Sequence, residues 1–341
     1  MTGYDYRSMT RPELEAALAG MGQPRYRAGQ LFSWLQKGAV SFDEMTDLPA
    51  ALRAALAEQG WLANAEVAAR YESKLDETVK YVFRLNDGEL IESVLMQYHY
   101  GLSLCVSTQV GCRMGCSFCA STVDGLTRSL TASEILAQIQ AASRDRGVRV
   151  SHVVLMGMGE PFDNFDAVVR FLELVGAPEG LNIGARHISL STCGRVDGIR
   201  RFMALGSQVT LSVSLHAPND AIRSRIMPIN KKYGVDELLG ACRDYIAATG
   251  RRISFEYAMI RDVNDTDACA EELAAKLQGM LCHVNLIPAN EIRENDYRRS
   301  EASRLKRFQQ LLEQRGLTVT VRRTLGADIA ASCGQLRQRH K

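Results

Sequence analysis

The chain has 341 residues, a net charge of +2, 46% hydrophobic and 23% charged residues, the balance of a water-soluble globular protein with a substantial core. No stretch approaches the ~18 consecutive apolar residues of a membrane span, and no apolar run follows a basic N-terminus. No membrane association is expected, and a cytoplasmic location is. Nine cysteines are an odd number in a chain too large to need stapling, so metal ligation or thiol chemistry is expected for some and ordinary burial for the rest, in place of a disulfide framework.

Residues 1–64 predict a small helical domain. Leu14, Ala17 and Leu18 share one helical face, as do Leu31, Trp34 and Leu35, and Pro49 opens the helix of PAALRAALAEQG. Residues 65–102 predict a β-rich connecting hairpin, TVKYVFRL and ELIESVLMQYH flanking an NDG turn. From 103 to 297 strand and helix alternate. The strand candidates are SLCVSTQ, HVVLMGMG, HISLST, VTLSVSLH, ISFEYAMI and HVNLIPAN, and the helix of TASEILAQIQAAS starts on a Thr131–Glu134 capping box. Six such units predict an α/β fold with a parallel sheet, open or curled into a partial (β/α)6 barrel, with functional loops at the C-terminal ends of the strands. Residues 298–341 predict a helix burying Leu305, Phe308 and Leu312, a strand in TVTVRR, and a closing loop. From Asn290 to Lys341 there are 12 Lys and Arg against 6 Asp and Glu. Such a segment suits phosphates, and it equally suits a solvated helix face.

The loop after the first of the alternating strands is the most informative. GCRMGCSFCAST sets Cys112, Cys116 and Cys119 within eight positions. Structural zinc sites and iron–sulfur clusters usually take four ligands, so three thiolates in one loop point to a metal centre with one position open for chemistry. The competing reading is three buried or zinc-bound cysteines.

A CxxxCxxC loop after the first strand of a βα series, with Phe118 just before the last cysteine, resembles the radical S-adenosylmethionine superfamily. Further motifs narrow the resemblance: FDEMTDLP in the helical region, MGMGEP (Met156–Pro161), LSTCG, SVSLHAPND, IMPINKKY, FEYAMIRDVND, NLIPAN and GADIAASCGQL. In this order they resemble the RlmN family, bacterial enzymes that methylate carbon 2 of an adenine in 23S ribosomal RNA and in some transfer RNAs. The resemblance covers nearly the whole chain.

The resemblance implies a radical-SAM barrel in which Cys112, Cys116 and Cys119 hold a 4Fe–4S cluster. It places Gly159, Glu160, Ser191, Ser214, Leu215, His216 and Asn290 on S-adenosylmethionine-binding positions. Cys333 matches the cysteine that becomes S-methylated, Cys105 its disulfide partner, and Glu92 the proton acceptor. Two S-adenosylmethionine molecules per turnover, an external electron donor such as flavodoxin, and a monomer that meets 23S rRNA and tRNA are further implications. Without the resemblance, Cys105 reads as a buried strand residue and Glu92 as a solvated one. The chemistry is coherent. Carbon 2 of adenine is electron-poor and cannot attack a sulfonium methyl, whereas a thiolate can. An S–CH2 radical on Cys333 can then add to the ring, and Cys105 can release the product by attack on the Cys333 sulfur. The RNA must turn its adenine out to present that edge, and Arg298, Arg299, Lys306, Arg307, Arg322 and Arg323 are candidates to meet its phosphates.

Three departures stand out: Leu126 where the family tends to carry an aromatic, EIREN after Asn290 where it has a proline-rich turn, and Cys193 where it has serine. Cys242, Cys269 and Cys282 are expected in the core. The related enzyme Cfr, which methylates carbon 8, is the alternative within the same chemistry, although GMGEP, SLHAPND and FDEMTDLP lean to carbon 2. A metal-stabilised RNA-binding module without catalysis is the alternative from another class, and it would need neither Cys105 nor Cys333.

Overall fold

The computed structural model describes residues 3–290, 292 and 295–336. Strand β1 (Tyr4–Asp5) is followed by helices α1 (Arg11–Gly20), α2 (Tyr26–Lys37) and α3 (Ala50–Gln59), and β2 (Gly60–Trp61) pairs back on β1 in parallel. A Thr10–Glu13 capping box starts α1, Gly38 at φ 84° ends α2, and Pro49 caps α3. The stripes of α1 and α2 bury Leu14, Leu18, Leu31 and Leu35, which are continuous with the core of the rest of the chain. The buried Arg7 fastens this region by donating to Gln140 Oε1 at 2.6 Å, and Gln140 donates to Leu35 O at 2.8 Å.

Ten strands form the main sheet. β3 (Glu66–Glu72), β4 (Val79–Arg84) and β5 (Leu90–Tyr98) are antiparallel neighbours, and β5 pairs antiparallel with β6 (Gly101–Cys105). The turn at Asn86–Gly88 is present, closed by Leu85 N–H to Glu89 O at 2.8 Å, with Gly88 at φ 89°. A small ribbon, β7 (Gln109–Gly111) with β8 (Leu126–Ser129), carries the three-cysteine loop between its strands. The chain then alternates: α4 (Ala132–Arg146), β9 (His152–Leu155), α5 (Phe165–Val175), β10 (Ile188–Thr192), α6 (Val196–Ala204), β11 (Thr210–Ser214), α7 (Asp220–Ile226), α8 (Val235–Thr249), β12 (Ile253–Met259), α9 (Asp267–Leu277), β13 (Cys282–Pro288), α10 (Ala302–Gln314) and β14 (Val319–Val321). The sheet order is β14-β13-β12-β11-β10-β9-β6-β5-β4-β3, parallel from β6 to β14. The six expected parallel strands are present, with β14 a seventh. Residues 65–102, read from sequence as a connecting hairpin, continue the same sheet through β5 and β6.

The sheet curls. Arg322, just beyond edge strand β14, lines one cavity with Val94 of β5 and Cys105 of β6, so the strands enclose a common interior. This explains why β5 is buried along nearly its whole length instead of alternating. Ser93 donates to Gln138 Oε1 of α4 at 2.7 Å, so odd-numbered β5 residues meet helices on the outside. Val94 and Met96 line the interior cavity, and with period two Glu92 points the same way. No helix among the described residues is long and apolar enough to cross a membrane.

Candidate active site

A cavity of about 160 Å³ opens at the C-terminal ends of the parallel strands. Its wall includes Cys112, Cys116 and Cys119, together with Gly159, Glu160, Ser191, Ser214, His216, Asn290 and Cys333. The site residues expected from sequence therefore meet in one place, with three exceptions. Leu215 is buried in the core, its N–H donating to Glu256 O at 3.1 Å and its carbonyl accepting from Arg223. Cys105 lines a second cavity beside the first, and Glu92 lies among the buried polar residues deeper in the interior.

The local backbone explains why the cysteine loop and the GMGEP loop approach each other. Gly159 sits at φ 104°, and a Cβ there would fall 2.7 Å from the Gln109 side chain. Gln109 Oε1 accepts from Glu160 N–H at 2.9 Å, and Arg113 of the cysteine loop donates to Asp163 at 2.5 Å. All three loop thiols have pKa values raised, by burial first; that of Cys112 is pushed up to about 12, and that of Cys116 rises further through its two neighbours. Two buried thiols and a half-buried one, crowded in one loop, become thiolates when cations replace the protons, so this donor set fits an iron–sulfur cluster.

Glu160 accepts from the Cys193 N–H at 2.7 Å and the Phe162 N–H at 3.0 Å, and burial raises its pKa. His216, at φ 55°, accepts the Ala258 N–H on Nδ1 at 2.9 Å, which places its proton on Nε2. Burial pushes its pKa down to about 3, so a neutral imidazole donor stands in the wall, with Phe118 edge-on at 4.9 Å. Cys193 stands in the same wall, its pKa raised well above the ordinary thiol value by burial. Cys242, Cys269 and Cys282 are buried core residues as expected.

The C-terminal loop closes over both cavities. Asn290 Nδ2 donates to Cys333 O at 3.0 Å, Ala120 N–H to Gly334 O at 2.7 Å, and Ser121 to Leu336 O at 2.6 Å. Cys333 lines both cavities, sharing the first with the loop cysteines and the second with Cys105. Both Cys105 and Cys333 are free thiols, and burial pushes the Cys105 pKa up to about 12. Lys80 lies opposite Val94 in the β4–β5 register. Its Nζ stands 3.5 Å from Glu92 Oε1 and donates to Ala330 O at 3.3 Å, linking the carboxylate to the Cys333 loop.

Four further residues belong to the site: Arg223 had no marker in the sequence, Glu256 and Asn264 stand in FEYAMIRDVND without an assigned role, and Arg322 was read only as a candidate for phosphates. Arg223 is wholly buried and donates to the carbonyls of Leu215, Cys193 and Ser214 and to Asn230 Oδ1. Asn264 donates to His216 O at 2.7 Å, holding that strained residue. Glu256 and Arg322 both line the first cavity. Of the basic residues considered for phosphates, Arg322 belongs to this interior, and Arg307 joins Arg304 on Asp267 of α9. Of the EIREN segment, Glu291, Arg293 and Glu294 lie outside the described residues. Its last residue, Asn295, donates to Ser117 O at 2.6 Å, and beyond it Tyr297 joins the cavity wall.

Residues 5–61 match the ribosomal RNA large subunit methyltransferase N-terminal domain, and residues 106–273 match the Radical SAM superfamily. The chain is 49% identical over 340 residues to the "Probable dual-specificity RNA methyltransferase RlmN" of Alkaliphilus oremlandii, covering 100% of this chain and 99% of that one. The chain belongs to the RlmN family. It is 53% identical over 335 residues to the protein of the same name from Pelotomaculum thermopropionicum, covering 98% of this chain and 91% of that one. A crystal structure of a radical SAM methyltransferase from Sphaerobacter thermophilus superposes with a TM-score of 0.94 at 48% identity, covering 99% of this chain and 100% of that one. As an RlmN-family member the chain is a radical SAM RNA methyltransferase. Its cofactors are a 4Fe–4S cluster and S-adenosylmethionine, two molecules of the latter per turnover. The reading as a non-catalytic RNA-binding module is set aside.

Proposed function

We propose that the chain methylates carbon 2 of an adenine in 23S ribosomal RNA and in transfer RNA, with Cys333 as methyl carrier, Cys105 as resolving thiol and Glu92 as proton acceptor. The observation that carries this reading is the position of Cys333 in the wall of both cavities, between the loop cysteines and Cys105. The dual-specificity name of the relatives supports two classes of RNA, and their RlmN name supports carbon 2 over carbon 8.

Cys112, Cys116 and Cys119 would hold the cluster, while Glu160, Ser191, Ser214, His216 and Asn290 would line the S-adenosylmethionine site. When bound, the cofactors would supply an electrophilic methyl group and, with an electron from an external donor such as flavodoxin, the means to take a hydrogen atom from an S-methyl group on Cys333. The residues of the chain perform the rest. The Cys333 sulfur attacks the sulfonium methyl, and the pair of electrons from the broken S–C bond stays on the cofactor sulfur. The S–CH2 carbon then bonds to the turned-out adenine inside a cavity closed by the C-terminal loop. Glu92, on the interior face of β5, accepts the ring proton, and Lys80 balances its charge. Cys105 attacks the Cys333 sulfur as a thiolate and breaks the sulfur–carbon bond; the carbon takes up a proton to complete the methyl group, the unpaired electron of the adduct would return to the bound cluster, and methylated RNA is freed with a Cys105–Cys333 disulfide left behind.

The test separates the two thiols. Cys105→Ala from cells that make the RNA substrate is expected to carry a nuclease-sensitive mass shift, absent from wild type and from the Cys105→Ala/Cys333→Ala double variant. Cys105→Ala that turns over normally without an adduct would remove Cys105 from the mechanism. Iron and sulfide content, with the absorption spectrum of anaerobically purified protein, checks the cluster in each variant.

A further inference from the structure

We propose that Arg322 binds the target base, donating a hydrogen bond to a ring nitrogen beside the carbon that receives the methyl group, and so selects which edge of the base faces Cys333. The inference rests on the roles given above to Cys333 and Cys105.

A base joined through one carbon to the Cys333 sulfur, which Cys105 must also reach, lies where the two cavities meet. Five residues line both: Met156, Ile287, Asn290, Arg322 and Cys333. Met156 and Ile287 offer no strong donor, and the Asn290 amide already donates to Cys333 O. Arg322 is the remaining donor, with five N–H groups. Among the described residues its guanidinium makes a single weak hydrogen bond, to Met156 Sδ at 3.6 Å, and Glu256 stands at 3.9 Å.

The fold nevertheless holds it firmly. The Arg322 backbone N–H donates to Leu286 O at 2.8 Å, anchoring the residue at the end of β14. Glu256 on β12 is fixed from behind, accepting from Ser254 Oγ at 2.9 Å and from Asn285 Nδ2 at 2.7 Å. A half-buried cation with a fixed counter-charge and spare donors toward a shared cavity is arranged to bind an acceptor that arrives later. A guanidinium keeps its proton in a protein, so Arg322 meets the base as a charged donor.

Ring nitrogens of adenine flank the reacting carbon. A charged hydrogen bond to one of them orients the base and draws electron density from that carbon as the new bond forms. A donor fixed on the end of a strand favours one edge of the base, which makes Arg322 a residue of position specificity as well as binding.

The experiment uses cluster-loaded wild type, Arg322→Met and Arg322→Lys, with three synthetic RNA stem-loops. One carries the methylated adenosine; in the others that adenosine is replaced by its 1-deaza or 3-deaza analogue. Methylation of Cys333 is read by mass spectrometry in each protein, and RNA methylation is expressed per methylated Cys333. On that scale Arg322→Met is expected to fall about 100-fold, the usual loss for one such donor. Wild type should lose a similar factor on one of the two deaza analogues, and Arg322→Met should lose nothing further on that analogue. Arg322→Lys should recover part of the rate on natural RNA. Additive losses on that analogue, or full RNA methylation per methylated Cys333 by Arg322→Met, would each overturn the proposal. Absence of Cys333 methylation in wild type would remove the reading on which it rests.

Discussion

Arg223→Met tests whether one buried cation shapes the cofactor cavity from behind. The guanidinium reaches four acceptors: Leu215 O at 3.0 Å, Asn230 Oδ1 at 3.0 Å, Cys193 O at 2.7 Å and Ser214 O at 3.1 Å. Three belong to the segments that leave β10 and β11, so the side chain clamps those strand ends together. Through Asn230, which donates to Asp220 Oδ1 at 2.9 Å, the clamp extends to the start of α7. Methionine fills much of the volume but offers no donor. Each buried acceptor left unpaired costs about 1–3 kcal/mol, partly offset because a desolvated charge is also removed. We expect a net loss of about 3–5 kcal/mol, against a total stability of about 5–15 kcal/mol. Urea denaturation of the cluster-free chain should show the midpoint fall by that amount with little change in slope. S-adenosylmethionine affinity of the loaded protein should fall at least about tenfold, a change of about 1.4 kcal/mol, because Ser191, Ser214 and His216 occupy the clamped segments. A stability loss below about 1 kcal/mol with unchanged affinity would refute the reasoning.

Two further outcomes are expected. His216 is neutral in the folded protein, its pKa held down to about 3 by burial, while the unfolded chain takes up the proton near pH 6.5. Folding stability should therefore fall as pH drops from about 6.5 toward 3, by up to about 1.4 kcal/mol per pH unit. His216→Asn, which keeps an acceptor for the Ala258 N–H, should remove that slope, and coincident urea midpoints of the two proteins at pH 5 and pH 7 would count against a buried neutral imidazole. Lys80→Met takes the ammonium from Glu92 and the donor from Ala330 O. A loss of about 3 kcal/mol and partial accumulation of the RNA adduct, weaker than in Cys105→Ala, are expected by denaturation and gel mobility; unchanged stability and no adduct would exclude the linking role.

What could be read from sequence was what leaves a local pattern. Cys112, Cys116 and Cys119 are spaced along one loop because one ligand group must be reached from one short backbone segment. Gly159 reads as a close approach because any Cβ there meets Gln109. The Thr131–Glu134 box opens α4 where its residues place it, with Thr131 accepting from Glu134 N–H at 3.2 Å. Period two likewise puts Glu92, Val94 and Met96 on one face of β5. It does not say whether that face is wet. Only the curl of the sheet, which brings Arg322 from the far edge against β5 and β6, turns it into the interior. Glu92 thus reads as a solvated strand charge because the elements that bury its face are distant in the chain. Arg223 carries no local signal either, sitting beside Arg225 in a short helix whose buried face is decided by the strand ends it clamps. The basic C-terminal segment divides for a related reason: α9 supplies acids for Arg304 and Arg307, while the end of β14 carries Arg322 inward.

The same division governs how Cys333, the proposed methyl carrier, is held. Cys333 lies in a loop without regular structure, yet the loop is tied to three separate parts of the molecule. Ala120 and Ser121 hold it to the cysteine loop, Asn290 to the end of β13, and Lys80 to the strand beside Glu92. In the proposed reaction this sulfur meets a methyl donor, then a base, then a second thiol, and no single helix or strand facing one partner could place it for all three. A segment positioned by several elements at once can. The polar ties are joined by two packed apolar side chains, Ala331 and Leu336, on either side of Cys333. Held from several directions, Cys333 stands in the wall of both cavities.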